Sequence, residues 1–573
     1  METPKSEMRR AILNRVAPAF AIIGLSATVG ISLAQFLNGR PSLFNLAYSF
    51  MPSVVVASIL LAVFLSKKSS VSFTFPSSLP RVGHRLAILF ALMFLGLVFL
   101  VGLVSVVAVN TWGLTLAILI MVAYASLFAV FWTSIFSVVN AVALYFAIWP
   151  VLTVIKVSIM LRHEPGLYQS LFIVPLRVQS ETLVNSLHPV ADTFLGQLAV
   201  LSPEVLFIFA LFIGWVIGRM RGVASGSIRT PIDLAVAVLL GAGIVSALLS
   251  SAPVFSMVWL LGELVAPILL CYVLASSLRV RRDIYVVLSG MLTGLAIIAA
   301  YQALETYRFL MIEGEATRFG VLGNANFSGA IMVYLLPVSL VFIFSARAGR
   351  LRRVIAAFIL ILTVAAVILS GSRGPWIAML FIVASLIWVM PRVRIQIMLA
   401  VVFLFLAALP LMQNLSAIIV DIRPDLTSVE EAVTSKPRIF LWQASVEVLA
   451  SPLIYGIGPG MFPTLGIGDP TRSAVFEHAH QDFLNIGIET GLVGMAAFVA
   501  IVLLTAKHTL LRIRALTEDY FRQTVKWVAI SLLGFLIIAV TTGVPFHGTQ
   551  GIMGGLIPWA MVAIIIGAGR VSR

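Results

Sequence analysis

The sequence predicts an all-α polytopic membrane protein with about 16 transmembrane helices and one large hydrophilic loop. Its 573 residues are 60% hydrophobic and only 11% charged. The mean hydropathy of +1.08 lies far above the range of soluble proteins. Apolar runs near the length of a membrane span recur without strict alternation, which favours helices over a barrel because backbone groups in hydrocarbon must be satisfied internally.

Length and helix-breaking residues locate the individual spans. They are predicted near 17–37, 44–65, 86–109, 113–134, 138–161, 194–217, 232–250, 254–278, 284–303, 325–346, 354–370, 375–390, 395–412, 484–506, 527–544 and 551–569.

Charge distribution predicts the orientation of these spans. The chain has 38 lysines and arginines against 23 acidic residues, and most of the basic residues sit in short clusters on alternate loops. The positive-inside rule therefore assigns those loops and both termini to the cytoplasm. Because orientation explains the basic clusters, we expect no nucleic-acid partner. The outer loops are then 162–193, 304–324, 371–374, 413–483 and 545–550.

A basic break at 218–231 predicts two parts of the chain. Residues 1–225 would form an N-terminal part of about six helices, and residues 226–573 a second part that holds the candidate site. The single cysteine, Cys271, excludes intramolecular disulfides and a cysteine-rich metal site.

The segment 413–483 is the long hydrophilic loop, and loops of this length usually carry function. Within it, Arg438 to Ala450 is predicted as an amphipathic helix on the membrane surface. Its apolar face would consist of Ile439, Trp442, Val446 and Leu449. Gly456 to Gly460 is predicted as a turn rather than a phosphate loop, since no Gly-Lys-Ser/Thr follows.

Charged and titratable residues that are distant in sequence fall together on the outer side. Arginine binds phosphate oxygens in pairs, and a histidine can accept a proton from a hydroxyl. Arginines beside a histidine therefore indicate glycosyl transfer from a lipid diphosphate. The residues concerned are Arg318, Arg373, Arg438, His478, His480 and His547.

Each of these residues also has a simpler interpretation. Arg373 could hold a helix end at the headgroups, and Arg438 could extend from an interfacial helix to water. Arg318 could pair with Glu313 or Glu315.

His478 and His480 could bind a metal with Glu477 and Asp482, although no clear third or fourth ligand is evident. Glu263, inside a predicted span, is a further candidate because an ionisable group at membrane depth is costly. Its alternative is a hydrogen-bonded structural residue.

Five short motifs occur in a fixed order. His480-Gln481 is followed by nine residues and then by Gly491 and Gly494. Upstream lie Arg373-Gly374, Arg438 with Trp442, the Gly456 to Gly460 turn and, more weakly matched, Arg318 with Gly323-Asn324. Over roughly 232–573 the chain resembles the O-antigen ligase and polymerase superfamily. It departs from many ligases at Met495-Ala496, where two threonines are common.

The resemblance implies a GT-C-like, metal-independent glycosyltransferase of the bacterial inner membrane that uses no cofactor. Its donor would be an undecaprenyl-diphosphate-linked glycan and its acceptor a glycan or lipid A core, with membrane lipids around it. His480 would activate the acceptor hydroxyl on the periplasmic side. Arg373, Arg438 and Arg318 would bind the diphosphate. The residues that would support the site are Gln481, Asp482, His478 and His547.

Ligase and polymerase remain alternatives, as do other functions. A transporter or flippase of lipid-linked saccharides should carry polar groups at mid-depth, whereas these candidates gather on one side. An accessory protein that has lost catalysis is disfavoured by intact His480, Arg373 and Arg438.

Overall fold

The computed structural model describes residues 126–127, 129–163, 203–220, 228–308, 325–345, 349–370, 372–389, 436–451, 454–468, 476, 478–541 and 553–571. Within these ranges the chain is helical and forms no strand, which confirms the all-α class. The helices below belong to the compact unit Val130–Arg573.

The helices of this unit are numbered in chain order. They are α1 (Val138–His163), α2 (Pro203–Met220), α3 (Asp233–Leu249), α4 (Pro253–Ser277), α5 (Arg281–Arg308), α6 (Ala325–Ile343), α7 (Arg350–Leu369), α8 (Arg373–Val389), α9 (Lys436–Ala450), α10 (Asp482–Ala515), α11 (Asp519–Thr541) and α12 (Met553–Val571).

Within the described ranges, six helices are long and apolar enough to cross a membrane, namely α4, α5, α6, α7, α10 and α11. Most of the others contain shorter apolar stretches. The protein is therefore a helical membrane protein. The total of about 16 spans stays a prediction, because the predicted spans at 17–37, 44–65, 86–109 and 395–412 lie outside the described residues.

Two predicted spans are longer than expected. The spans predicted at 484–506 and 527–544 are α10 and α11, and only residues 516–518 separate them. The intervening residues are rich in charge, which predicts a loop. They continue the helices instead, because helical backbone bonds persist beyond the apolar segment when side chains at the ends are solvated or paired.

Arginines mark one end of the bundle, which we call the basic end. Here Arg281 at the start of α5 forms an ion pair with Glu518, and Arg570 Nη1 donates to Ala275 O at 3.4 Å. The ends of α4, α10 and α12 therefore lie beside the starts of α5 and α11. Other basic residues at these helix ends are Arg279, Arg282, Arg512, Arg514 and Arg522.

The opposite end is set by the antiparallel pairing of α11 with α6. Trp527 near the start of α11 stacks on Phe344 just after α6, with ring centroids 6.0 Å apart. Further along, Phe535 meets Tyr334 edge to face at 5.5 Å. The end of α11 thus lies beside the start of α6. We call this the loop end.

Two helices from the predicted N-terminal part pack against the second part. Gly290 and Gly294 of α5 let the backbone of α1 approach closely, since a Cβ on Gly290 would lie 2.6 Å from Ala143 Cα. Helix α2 packs on α1 through Phe207 and Tyr145, whose ring centroids are 5.3 Å apart. The functional division at residue 225 stays a prediction.

Helix α9 packs on the protein through one face, and its predicted position on the membrane surface stays a prediction. Leu441 and Ser445 are fully buried, whereas Ile439 and Val446 are 50% and 53% exposed. The helix has apolar side chains on most sides, so tertiary contacts rather than periodicity choose the inner face. Leu441 on the buried face belongs to a set of buried residues that we call the loop cluster. Its members are Leu441, Phe462, Phe476, Ala479 and Ile488.

Candidate active site

The backbone beside His480 is held by two side chains. Ala479, fully buried, donates its N–H to Asn485 Oδ1 at 3.1 Å and accepts from Trp442 Nε1 at 3.1 Å. His480 itself has a φ of 50°, a left-handed conformation that histidine adopts more readily than most side chains. Both backbone groups of its neighbour are thus held, which fixes the position of the chain where the His480 side chain begins.

The imidazole of His480 packs against a second one. The ring centroids of His478 and His480 lie 4.1 Å apart, at a tilt of 57°. Phe476 meets His480 edge to face at 6.2 Å. His478 is buried, whereas His480 is partly exposed. Of the two imidazoles, that of His480 is therefore the more accessible to a bound molecule.

The first segment of α10, residues 482–490, begins directly after this histidine. Gln481 caps it by accepting from Leu484 N at 2.5 Å, so the structure gives this predicted supporting residue an N-cap position. Three polar residues lie on one buried face at spacings of three and four, each 1–2% exposed. They are Asp482, Asn485 and Glu489.

Helix α10 breaks at Gly491, whose φ of 79° and ψ of 174° are not helical. Two carbonyls in the last turn before the break accept hydrogen bonds from the glycine turn at 456–460. Ile457 N donates to Ile488 O and Gly458 N to Glu489 O, each at 3.0 Å. The His480 and Gly491 spacing of the sequence motif therefore corresponds to one short helix between the histidine and the break.

The glycine turn is a turn, as predicted, and it fits closely against α4. Gly456, Gly458 and Gly460 all have positive φ. A Cβ on Gly458 would lie 2.7 Å from Ser256 Oγ, and one on Gly460 would lie 2.6 Å from Trp259 Cγ. The turn therefore joins the start of α4 to the break in α10.

Arg438 lies at the loop end, bound to the end of α11. Its Nη1 donates to Thr541 O at 2.6 Å, and carbonyls at a helix C-terminus lack helical partners and attract cations. Trp442 follows Arg438 by four residues on α9, or about 6 Å along the helix axis. Since Trp442 binds Ala479, helix α9 carries Arg438 one turn away from the residue that contacts the neighbour of His480.

Arg373 is the first residue of α8, and its side chain lies outside the described set. The residue before it, Ser372, donates its hydroxyl to Asn326 Oδ1 at 2.5 Å, and Asn326 lies in the first turn of α6. The starts of α6 and α8 therefore meet at the loop end, where helix N-termini favour anions.

The remaining predicted site residues have mixed outcomes. Arg318, His547 and Glu477 lie outside the described residues, so their roles stay predictions. Among the described residues, no group of three His, Cys, Asp or Glu side chains could hold a metal ion. Glu263 is 4% exposed and lies in a π-helical turn, Leu261–Val265, of α4.

Two residues that contact this site are not among those predicted from the sequence. For Asn485 the sequence does hold a signal, since its spacing from Asp482 and Glu489 places all three on one helical face. Ser246 of α3 donates to Glu489 O at 2.5 Å. No sequence pattern near Ser246 indicates that contact.

Fold and site together define a helical membrane protein with a histidine, arginines and two helix N-termini at one end of the bundle. Residues 358–499 match the family model for O-antigen ligase, which confirms the resemblance to the O-antigen ligase and polymerase superfamily. No curated protein matches the chain. The match includes Arg373, Arg438, His480 and Gly491, and it supports a glycan ligase or transferase activity of the O-antigen ligase type.

Proposed function

We propose that this protein transfers a saccharide from an undecaprenyl-diphosphate carrier to an acceptor hydroxyl at the loop end of the bundle. The observation that carries the proposal is that α9 holds Arg438 and, one turn further on, Trp442, whose indole N–H binds Ala479 O next to His480. Helix α9 thus links the candidate diphosphate ligand to the residue before the candidate base, and all of these residues lie within the matched range.

His480 acts as the general base in this reaction. Its partly exposed imidazole accepts the proton of the acceptor hydroxyl. The hydroxyl oxygen then bonds to the anomeric carbon of the donor, the bond from that carbon to the phosphate oxygen breaks, and undecaprenyl diphosphate leaves with the electron pair. His480 retains the proton until it is released to water.

Arg438 and Arg373 stabilise the departing diphosphate. A guanidinium has five N–H groups, so binding Thr541 O through Nη1 is compatible with phosphate binding by other N–H groups. The adjacent starts of α6 and α8 add partial positive charge at the same place. These groups neutralise charge without a metal ion, and Arg318 belongs to the same proposal.

The loop end faces the periplasm of a bacterial inner membrane. Arginines at the opposite end support this orientation, because the positive-inside rule assigns basic helix ends to the cytoplasm. The acceptor is a lipid A core sugar in a ligase or another lipid-linked glycan in a polymerase. Both reactions need the same base and the same diphosphate ligands.

Glycan transfer in reconstituted membranes tests the proposal. The donor is a polyprenyl-diphosphate oligosaccharide, and the protein is compared with His480→Ala and Arg438→Ala at matched amounts, with and without chelator. We expect each substitution to lower transfer at least a hundredfold and chelator to change nothing.

Ser339→Ala provides the matched control, because this buried hydroxyl of α6 has no hydrogen-bond partner among the described residues. Undiminished transfer by His480→Ala would remove it as the base. Saccharide crossing the membrane without transfer would instead favour a flippase.

A further inference from the structure

Helix α3 contacts the segment that carries His480, although α3 precedes the residues that match the family model. Ser246 of α3 is fully buried, and its hydroxyl donates to Glu489 O at 2.5 Å across a separation of 243 residues. A buried hydroxyl that bonds a distant backbone carbonyl fixes two segments relative to each other.

Glu489 O is available to this hydroxyl because the helix is broken two residues later. Gly491 is not helical, and carbonyls at a helix end need partners from outside the helix. Ser246 Oγ and Gly458 N both donate hydrogen bonds to Glu489 O, and Ile457 N donates one to Ile488 O. Three donors from two other parts of the chain thus hold the end of segment 482–490.

The same segment is held at its other end, next to the histidine. Asn485 accepts from Ala479 N, and the Gln481 side chain caps the first turn. The nine residues between these two ends form a helix about 13 Å long. A helix this short moves as a rigid body, so its displacement at Glu489 shifts the residues around Ala479 as well.

We propose that Ser246 is a positioning residue for His480, acting through Glu489 O and segment 482–490. The inference rests on the proposed function, in which His480 is the base. Ser246 touches neither donor nor acceptor in this account. Its hydroxyl fixes the distance and angle at which the imidazole meets the acceptor hydroxyl, on which proton transfer depends steeply.

Removing the hydroxyl lowers the rate of transfer without changing donor binding. We expect Ser246→Ala to lower kcat about fivefold, the equivalent of one lost neutral hydrogen bond, with an unchanged KM for the donor. The S–H of Ser246→Cys is a weaker donor, so the kcat of this variant should lie between that of Ser246→Ala and that of the unmodified protein. The Ser339→Ala control removes a buried hydroxyl of the same size and should match the unmodified protein.

Hydrogen exchange provides a measurement that does not need activity. In detergent-solubilised full-length protein, Ser246→Ala should speed amide exchange at residues 478–490, while Ser339→Ala should not. If Ser246→Ala fails to fold, the cysteine variant is judged by the same two measurements.

Unchanged kcat and unchanged exchange in the Ser246 variants would overturn the inference, as would a loss confined to KM. The absence of transfer by every version, including the unmodified protein, would instead refute the proposed function. Even in that case, exchange at 478–490 would decide whether Ser246 holds the segment.

Discussion

Two side chains fix the residue before His480 and thereby limit where the imidazole points. Trp442 and Asn485 bind the C=O and N–H of Ala479, and His480 takes a left-handed conformation directly after it. A strained backbone conformation persists only where its surroundings determine it, and such residues cluster at functional sites. The geometry of the base is therefore built by neighbours that do no chemistry.

Replacement of Trp442 by phenylalanine tests this arrangement. The ring remains, but the N–H that binds Ala479 O is lost, so we expect transfer to fall about fivefold and unfolding free energy to fall by about 1 kcal/mol. Glycan transfer and thermal unfolding in detergent measure the two effects.

The control is Trp215→Phe, since the buried indole N–H of Trp215 in α2 has no hydrogen-bond partner among the described residues. Equal behaviour of the two variants would show that the Trp442 bond does not matter.

Helix α10 works as two helices because of the break at Gly491. The combination of φ 79° and ψ 174° is accessible in practice only to glycine. A Cβ at this position would also overlap the backbone of Ile454, lying 2.7 Å from its carbonyl carbon. Conformation and space thus both require glycine, which explains the first glycine of the sequence motif.

Gly491→Ala should therefore abolish transfer and lower the thermal unfolding temperature. Gly466→Ala is the matched comparison, because Gly466 also has a positive φ, of 63°, but its Cβ would meet nothing within 4 Å. Gly466→Ala should lower the free energy of unfolding by only about 1 kcal/mol, because alanine is disfavoured by that amount in the left-handed conformation. An equal fall of the unfolding temperature in the two variants would contradict the requirement for glycine at position 491, in conformation and in space alike.

At the scale of the whole molecule, charge distinguishes the two ends of the bundle. Arginines gather at the basic end, while His480, Arg438 and the starts of α6 and α8 gather at the loop end. Separation of this kind agrees better with chemistry at one membrane face than with a polar path through the middle.

Cysteine labelling tests the proposed orientation. Cys271 is the only cysteine and is 1% exposed, so the background should be low. Tyr455→Cys at the loop end, where Tyr455 is 58% exposed, should react with an impermeant maleimide added from the periplasmic side. Arg282→Cys at the basic end should react only after the membrane is disrupted. The reverse pattern would place the site in the cytoplasm.

The candidate residues could be proposed from the sequence because its motifs are local, and their roles stay predictions. The interval between His480 and Gly491 is one short helix, and Trp442 follows Arg438 by four positions on another helix. Such spacings follow from helical geometry alone. The buried face of α9 could not be predicted in the same way, since apolar side chains surround that helix and only its neighbours select Leu441 and Ser445.

The sequence by itself determined the membrane class, the helical fold and the resemblance to the O-antigen ligase and polymerase superfamily, because hydrocarbon permits few backbone structures and the motifs are short and local. Only the tertiary structure decided that Ser246 meets Glu489, that Trp442 meets Ala479 and that Arg438 binds the end of α11. These contacts join segments 37 to 243 residues apart. They depend on where folded helices come together, and no local pattern records that.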